Sequence, residues 1–127
     1  MMRLRKGALA LISTYGLAVA NPAVAAGDAA HGKMVFARCA ACHSMTPGKK
    51  MVGPSLAGII GRKAGTVEGF TYSPAMKAYG RNWDVKAMDA FLASPKTAIP
   101  GTRMIFAGLP NAADRADLIA YLSAAPK

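Results

Sequence analysis

Cys39-Ala40-Ala41-Cys42-His43 is the stretch on which the reading of this chain turns. Two thiols separated by two residues and followed at once by an imidazole form the C-x-x-C-H attachment signature of a c-type haem. The spacing has a chemical reason. Two thiols add to the two vinyl groups on one edge of the porphyrin, and the next residue, His43, is then forced beneath the iron as its proximal ligand. Two other readings use the same residues: a thioredoxin-like dithiol and half of a zinc site. A thioredoxin needs strands ahead of the motif, where this chain has a helical pattern. Zinc needs four ligands, and beyond the motif there is one further histidine, His31, and no third cysteine. A structural disulfide across so short a loop would add little to the fold. Haem attached to Cys39 and Cys42 is therefore the expectation.

Around the motif the chain reads as all-α with long loops. Asp28 is a good N-cap for a first helix expected to run to about Cys42, with Gly32, Val35, Phe36 and Cys39 on one face. Gly32 costs about 1 kcal/mol inside a helix, so its use is expected to be the close approach of another helix. Ser73 and Pro74 open a short helix that Gly80 closes. Asp84 caps the next, which buries Met88, Phe91 and Leu92 and stops at Pro95. The last begins at Asn111, with Asp114 three residues on in the manner of a capping box, and buries Leu118, Tyr121 and Leu122. An apolar run at residues 55–60 suggests a single helical turn. No alternation of β-branched and polar residues marks a strand. Loops of roughly 30 and 15 residues are unusual in so small a domain, and a central haem is what would hold them.

Residues 1–26 are set apart by pattern. Arg3, Arg5 and Lys6 precede an apolar stretch of 14 residues, 7–20, and Asn21-Pro22 then gives way to Ala23, Val24, Ala25 and Ala26. Charged, apolar and small segments in that order form a secretory signal. The apolar stretch is shorter than the ~20 residues of a membrane span. Residues 1–26 are thus expected to be a signal peptide cut after Ala25 or Ala26, leaving residues 27–127 as one domain, exported to the periplasm without stable membrane insertion. The whole chain carries a formal charge of +10, which falls to +7 once the three basic residues of the leader are removed. Such an excess seeks an acidic partner. Nucleic acid is disfavoured, because only 7% of residues are aromatic and they form no stacking platform with the basic ones.

A sixth iron ligand is expected from a methionine. His31 shares the helix that leads to the cysteines, so it cannot swing to the opposite face and reads as a solvated residue. Met34 and Met45 lie on the proximal side by chain proximity. Met51, Met76 and Met88 read as core or surface residues, since methionine is a common gap filler. Met104 lies in a loop stiffened by Pro100 and Gly101, with Thr102, Ile105 and Phe106 beside it, and His/Met ligation is the cytochrome c pattern.

These motifs in this order resemble class I cytochrome c of the mitochondrial and purple-bacterial type over nearly all of residues 27–127. The resemblance is carried by residues 32–36, the attachment motif, Val52-Gly53-Pro54, Gly61-Arg62-Lys63, residues 69–73, Trp83 and, most specifically, Ile99-Pro100-Gly101-Thr102-Arg103-Met104-Ile105-Phe106. It implies the cytochrome c fold, four to five helices and long loops wrapped around one covalent haem c. It implies that Pro54 offers its carbonyl to the His43 ring, that Arg62, Tyr72 and Trp83 hold one propionate, and that Thr102 stands near the other. It implies that Gly32 and Phe36 pack on Leu118 and Tyr121. Phe91 departs from the family, which often has a tyrosine hydroxyl there. The function implied is that of a monomeric one-electron carrier, not an enzyme. It would run from a donor of the quinol–cytochrome c reductase type to an oxidase or a photosynthetic reaction centre, docking on their acidic faces through Lys33, Arg38, Lys49, Lys50, Lys63, Lys96 and Arg103. The competing functions are a dedicated haem subunit of one exported oxidoreductase and a ligand-binding or peroxidase-like cytochrome. Because the attachment is covalent, acid–acetone extraction of the denatured holoprotein is expected to leave the haem with the polypeptide; haem in the organic layer would contradict it.

Overall fold

The structure is a computed structural model that describes residues 16–17 and 27–124. The expected signal peptide, residues 1–26, lies outside the described residues except for Gly16 and Leu17. Five α-helices follow in order: α1 (Ala29–Val35), α2 (Pro74–Tyr79), α3 (Val85–Ala93), α4 (Pro95–Ala98) and α5 (Ala112–Ala124), with a 3₁₀ turn at Phe36–Arg38 after α1. Among the described residues the sole β-type pairing is an isolated bridge between Lys63 and Asn82. No described helix is long and apolar enough to cross a membrane.

Local chemistry sets most helix ends. The Asp28 carboxylate accepts from the Ala30 and His31 amides, Ser73 from Met76, and Asp84 from Ala87. Each satisfies an amide that the first turn leaves without an intrahelical partner. Gly80 ends α2 with φ 66°, a left-handed conformation that costs a side-chain-bearing residue strain. Asn111 caps α5 by accepting from Ala113 and Asp114, and among the described residues Asp114 returns no bond, so half of the expected capping box forms. Pro95 ends α3 as expected, and it also opens the one-turn helix α4, where its fixed φ suits the first helical position. Residues 55–60 form turns rather than a helix.

The first helix is shorter than its pattern suggests. After Val35 the bonds tighten: the Cys39 amide donates to Phe36 and the Cys42 amide to Cys39, three residues back. That tightening ends the regular helix and gathers the chain into the attachment turn.

α1 crosses α5 with their backbones in contact. A Cβ on Gly32 would overlap the Asp117 carbonyl and stand 2.8 Å from the Tyr121 Cβ. The Phe36 and Tyr121 rings meet at 5.5 Å and 53°, a tilted pair of the favoured kind. Beneath the crossing, Val35, Leu118, Ile119 and Leu122 join Met88, Phe91 and Leu92 of α3, together with Trp83, Ile59 and Leu109, in one buried core. Two polar ties that the sequence pattern did not suggest brace it. His31 Nδ1 lies 2.7 Å from Asp117 Oδ2, so His31 is not simply solvated but joins α1 to α5. Arg115 donates through Nε to Asp89 at 2.7 Å and to the Leu109 carbonyl at 2.8 Å, tying α5 to α3 and to the loop before it.

Long loops are held by each other as well as by the centre. Gly61 donates to Trp83, Trp83 to Arg62 and Ala64 to Arg81, at 2.7, 2.8 and 2.9 Å. Nearer the attachment turn, Leu56 donates to Ser44 and the buried Ser55 hydroxyl to Thr46.

Asp117 titrates below its ordinary value of 3.8, chiefly because its carboxylate accepts the Asp28 amide and then because it faces His31. A carboxyl depressed in the folded state stabilises fully above its unfolded value and loses that contribution as pH falls through the folded one. The stability gap between wild type and Asp117→Asn is expected to narrow as pH is lowered from about 6 to about 2.5, followed by chemical denaturation. A gap constant over that range would remove the carboxylate from the account.

Candidate haem-binding site

A cavity of about 390 Å³ occupies the centre of the fold. All nine residues singled out in the sequence line it: Cys39, Cys42, His43, Pro54, Arg62, Tyr72, Trp83, Thr102 and Met104. The rest of its wall is largely apolar, with Ile59, Met88, Phe91, Leu92, Leu118 and Leu122 from the core.

At one end the attachment turn presents both thiols and the imidazole. His43 donates its amide to the Cys39 carbonyl at 2.9 Å, completing the turn. Cys39 is half-buried and Cys42 exposed, and no disulfide joins them. Burial pushes the Cys39 thiol up in pKa, against the pull of neighbouring Arg38. The His43 ring stands with Nδ1 2.8 Å from the Pro54 carbonyl. A carbonyl only accepts, so Nδ1 carries the proton. Burial lowers the pKa of the ring, against the opposing Pro54 bond, and so favours the neutral imidazole. A neutral ring protonated at Nδ1 leaves its lone pair on Nε2, the state a metal-ligating histidine requires.

Gly53 makes room for that ring. It donates its amide to the Cys42 carbonyl at 2.8 Å. A Cβ there would stand 2.7 Å from His43 Nδ1 and 2.9 Å from Nε2, closer than real contacts allow. The sequence marked Gly53 as part of a recognisable segment, while this steric role needed the fold.

Polar groups gather elsewhere on the wall. Arg62 donates to the Ala57 carbonyl at 3.0 Å and to the Ser55 carbonyl at 3.1 Å, and burial lowers its pKa. The Tyr72 hydroxyl accepts the Val67 amide at 3.1 Å. Trp83 is buried between Tyr79, stacked at 5.4 Å, and Phe91, tilted at 5.0 Å. The Thr102 hydroxyl accepts the Met104 amide at 3.3 Å, which pins the loop beside the methionine. Met76 and Met88 line the cavity too, a placement their sequence context did not mark. Arg38 and Arg103 line it from exposed positions, as do Val52, 80% exposed, and Ile105, 100% exposed. Lys33, Lys49, Lys50, Lys63 and Lys96 do not line it; Lys63 is bridged through its backbone to Asn82.

The cytochrome c family model matches residues 29–126. The chain belongs to the cytochrome c family. It is 52% identical over 108 residues to the cytochrome c-type cyt cy of Rhodobacter capsulatus, an alignment covering 84% of this chain and 54% of that protein. To cytochrome c2 of Rhodoblastus acidophilus it is 52% identical over 99 residues, covering 77% and 92%. Among solved structures, cytochrome cH from Methylobacterium extorquens superposes with a TM-score of 0.72 at 44% identity, covering 76% of this chain and 97% of that one. The all-α fold and the class I resemblance are thus borne out. Members of this family are electron carriers, not enzymes, and bind haem c covalently through the C-x-x-C-H motif that Cys39, Cys42 and His43 supply here. The residues fit that group: two thiols and a neutral imidazole share one end of an apolar cavity, and Gly53 leaves the space the imidazole fills.

Gly53→Ala is expected to cost the holoprotein about 1–3 kcal/mol, the usual range for forcing a methyl into a packed site, read from denaturant midpoints. A variant as stable as wild type would show that the ring has room to yield.

Proposed function

We propose that this cytochrome is an exported, monomeric one-electron carrier between membrane-bound redox complexes, its iron held by His43 and Met104. The observation that carries the reading is that Met104 lines the same cavity as a His43 ring whose Nδ1 is committed to Pro54. Bound haem supplies a one-electron couple at its iron. The protein's part is positional. Pro54 fixes the tautomer and orientation of His43 and strengthens it as a donor. Thr102, by accepting the Met104 amide, holds the loop that offers the thioether. Arg62, Tyr72 and Trp83 would hold one propionate, and Thr102 would stand near the other. With His43 and Met104 both bound, no position is open to oxygen or peroxide, which disfavours the peroxidase-like reading. Methionine ligation and burial raise the potential.

On this reading residues 27–127 work in the periplasm after removal of residues 1–26. The donor is of the quinol–cytochrome c reductase type and the acceptor an oxidase or a photosynthetic reaction centre. Lys33, Arg38, Lys49, Lys50, Lys63, Lys96 and Arg103 are the cations of the docking face, and the exposed Val52 and Ile105 line the same cavity as Arg38 and Arg103. Contacts of that kind raise association rates by about 10- to 1000-fold at low salt and release quickly.

Two measurements test this. The oxidised protein is expected to show a weak long-wavelength charge-transfer band that Met104→Ala abolishes and Met76→Ala spares; the reverse would move the ligand to Met76. The second-order rate with a membrane oxidase is expected to fall steeply from about 0.01 M to about 0.1 M ionic strength, as the screening length drops from about 30 Å to about 10 Å. A rate indifferent to salt would remove the docking face.

A further inference from the structure

One aromatic contact leads from the cavity wall toward the surface. Trp83 is the single tryptophan of the chain; it is buried and lines the cavity. Its backbone is fixed from both sides, since its amide donates to Arg62 and its carbonyl accepts from Gly61. α2 ends at Tyr79, Gly80 turns the chain with φ 66°, and Trp83 is thereby brought back against the Tyr79 ring. The two rings stack at 5.4 Å and 30°, so their π-systems are in contact. Tyr79 itself does not line the cavity and is half-buried. Its hydroxyl has no hydrogen-bond partner among the described residues, where no buried side-chain oxygen lacks one, so it reaches solvent. The exposed Arg81 holds its guanidinium 5.9 Å from the centre of the Tyr79 ring.

The other described tyrosines are placed differently. Tyr121 pairs with Phe36 at the crossing of α1 and α5, and neither ring lines the cavity. Tyr72 lines the cavity itself, with its hydroxyl accepting the Val67 amide. Tyr79 alone joins a phenol free toward solvent to a ring stacked on the cavity wall. Phenol and indole are among the side chains that give up a single electron most readily. The Arg81 cation opposes a positive charge on the ring beneath it, so an electron leaves Tyr79 most easily together with the phenolic proton, and solvent is there to take that proton. We propose that Tyr79 and Trp83 form an inward relay through which the reduced, haem-loaded protein quenches one-electron oxidants, small inorganic radicals, at its surface. Tyr79 gives one electron to the radical, which becomes its anion, and gives its O–H proton to water. The phenoxyl so formed takes one electron from the reduced haem across the Trp83 ring and one proton back from water, which restores Tyr79. The net exchange is one electron from the iron to the radical, with no bond broken and no open iron position needed. The inference is independent of which residue is the sixth iron ligand.

The test is pulse radiolysis of the reduced holoprotein with azide radicals, which are uncharged and oxidise phenols and indoles. Phenoxyl absorbance is expected to decay into haem oxidation at a rate independent of protein concentration, the sign of transfer within one molecule. Tyr79→Phe keeps the stacked ring and removes the hydroxyl, and is expected to lose that phase. Tyr72→Phe and Tyr121→Phe are expected to retain it. Trp83→Phe is expected to keep the phenoxyl signal and slow its decay; should that variant fail to load haem, the three tyrosine variants decide alone. Product mapping gives a second readout. The oxidised holoprotein has no electron to return, so irradiation is expected to leave dityrosine-linked dimers that map to Tyr79, with far fewer from the reduced protein. Absence of the intramolecular phase in the wild type, its survival in Tyr79→Phe or its loss in Tyr72→Phe would overturn the inference, as would dimers that map to Tyr121.

Discussion

The contact of α1 with α5 at Gly32 is the constraint on which the rest of the molecule depends. With no side chain at that position, the two backbones meet, Phe36 reaches Tyr121, and His31 reaches Asp117. The attachment turn follows α1 directly, so fixing α1 fixes where Cys39, Cys42 and His43 face. α5 is in turn held to α3 through Arg115 and Asp89, and α3 contributes Met88, Phe91 and Leu92 to the cavity wall. One close approach thus ties the attachment turn to the core that walls the cavity.

Against that frame the loops have a division of labour. Residues 43–56 hold the imidazole: Gly53 clears its space, Pro54 takes its proton-bearing nitrogen, and Ser55 ties the loop to Thr46. Residues 61–64 pair with 81–83, which seats Arg62 and Trp83 side by side on the wall. The loop after α4 carries Met104, steadied by Thr102. A chain of this size would struggle to fill its own centre with side chains, since small domains bury a limited share of their surface. Loops anchored to one another can surround a large apolar group without doing so.

What could be read from residues alone divides along the range of the interactions involved. Asp28, Ser73, Gly80 and Asp84 were legible as caps because each acts on amides or carbonyls within a few positions. Cys39, Cys42 and His43 were legible because their chemistry fixes their spacing. The early end of α1 was not, since the helical apolar spacing continues through Cys39 while the bonding tightens after Val35. α4 was hidden because Pro95 was read only as a stop. The ties His31–Asp117 and Arg115–Asp89 join positions 86 and 26 residues apart, and nothing local in either partner announces the other.

The clasp of α1 on α5 also bears on when the thiols can be reached. Its residues on α5, from Asp117 to Tyr121, lie near the far end of the sequence from Gly32 and Phe36, so the contact is among the most non-local in the molecule, and closing it costs the entropy of the long loop between. A polypeptide emerging from its amino end cannot close this clasp until α5 has followed. For that interval Cys39, half-buried in the finished fold, remains as open to an attachment apparatus as Cys42. The order of the helices along the chain thereby keeps open a window for the covalent chemistry on which the mature protein relies.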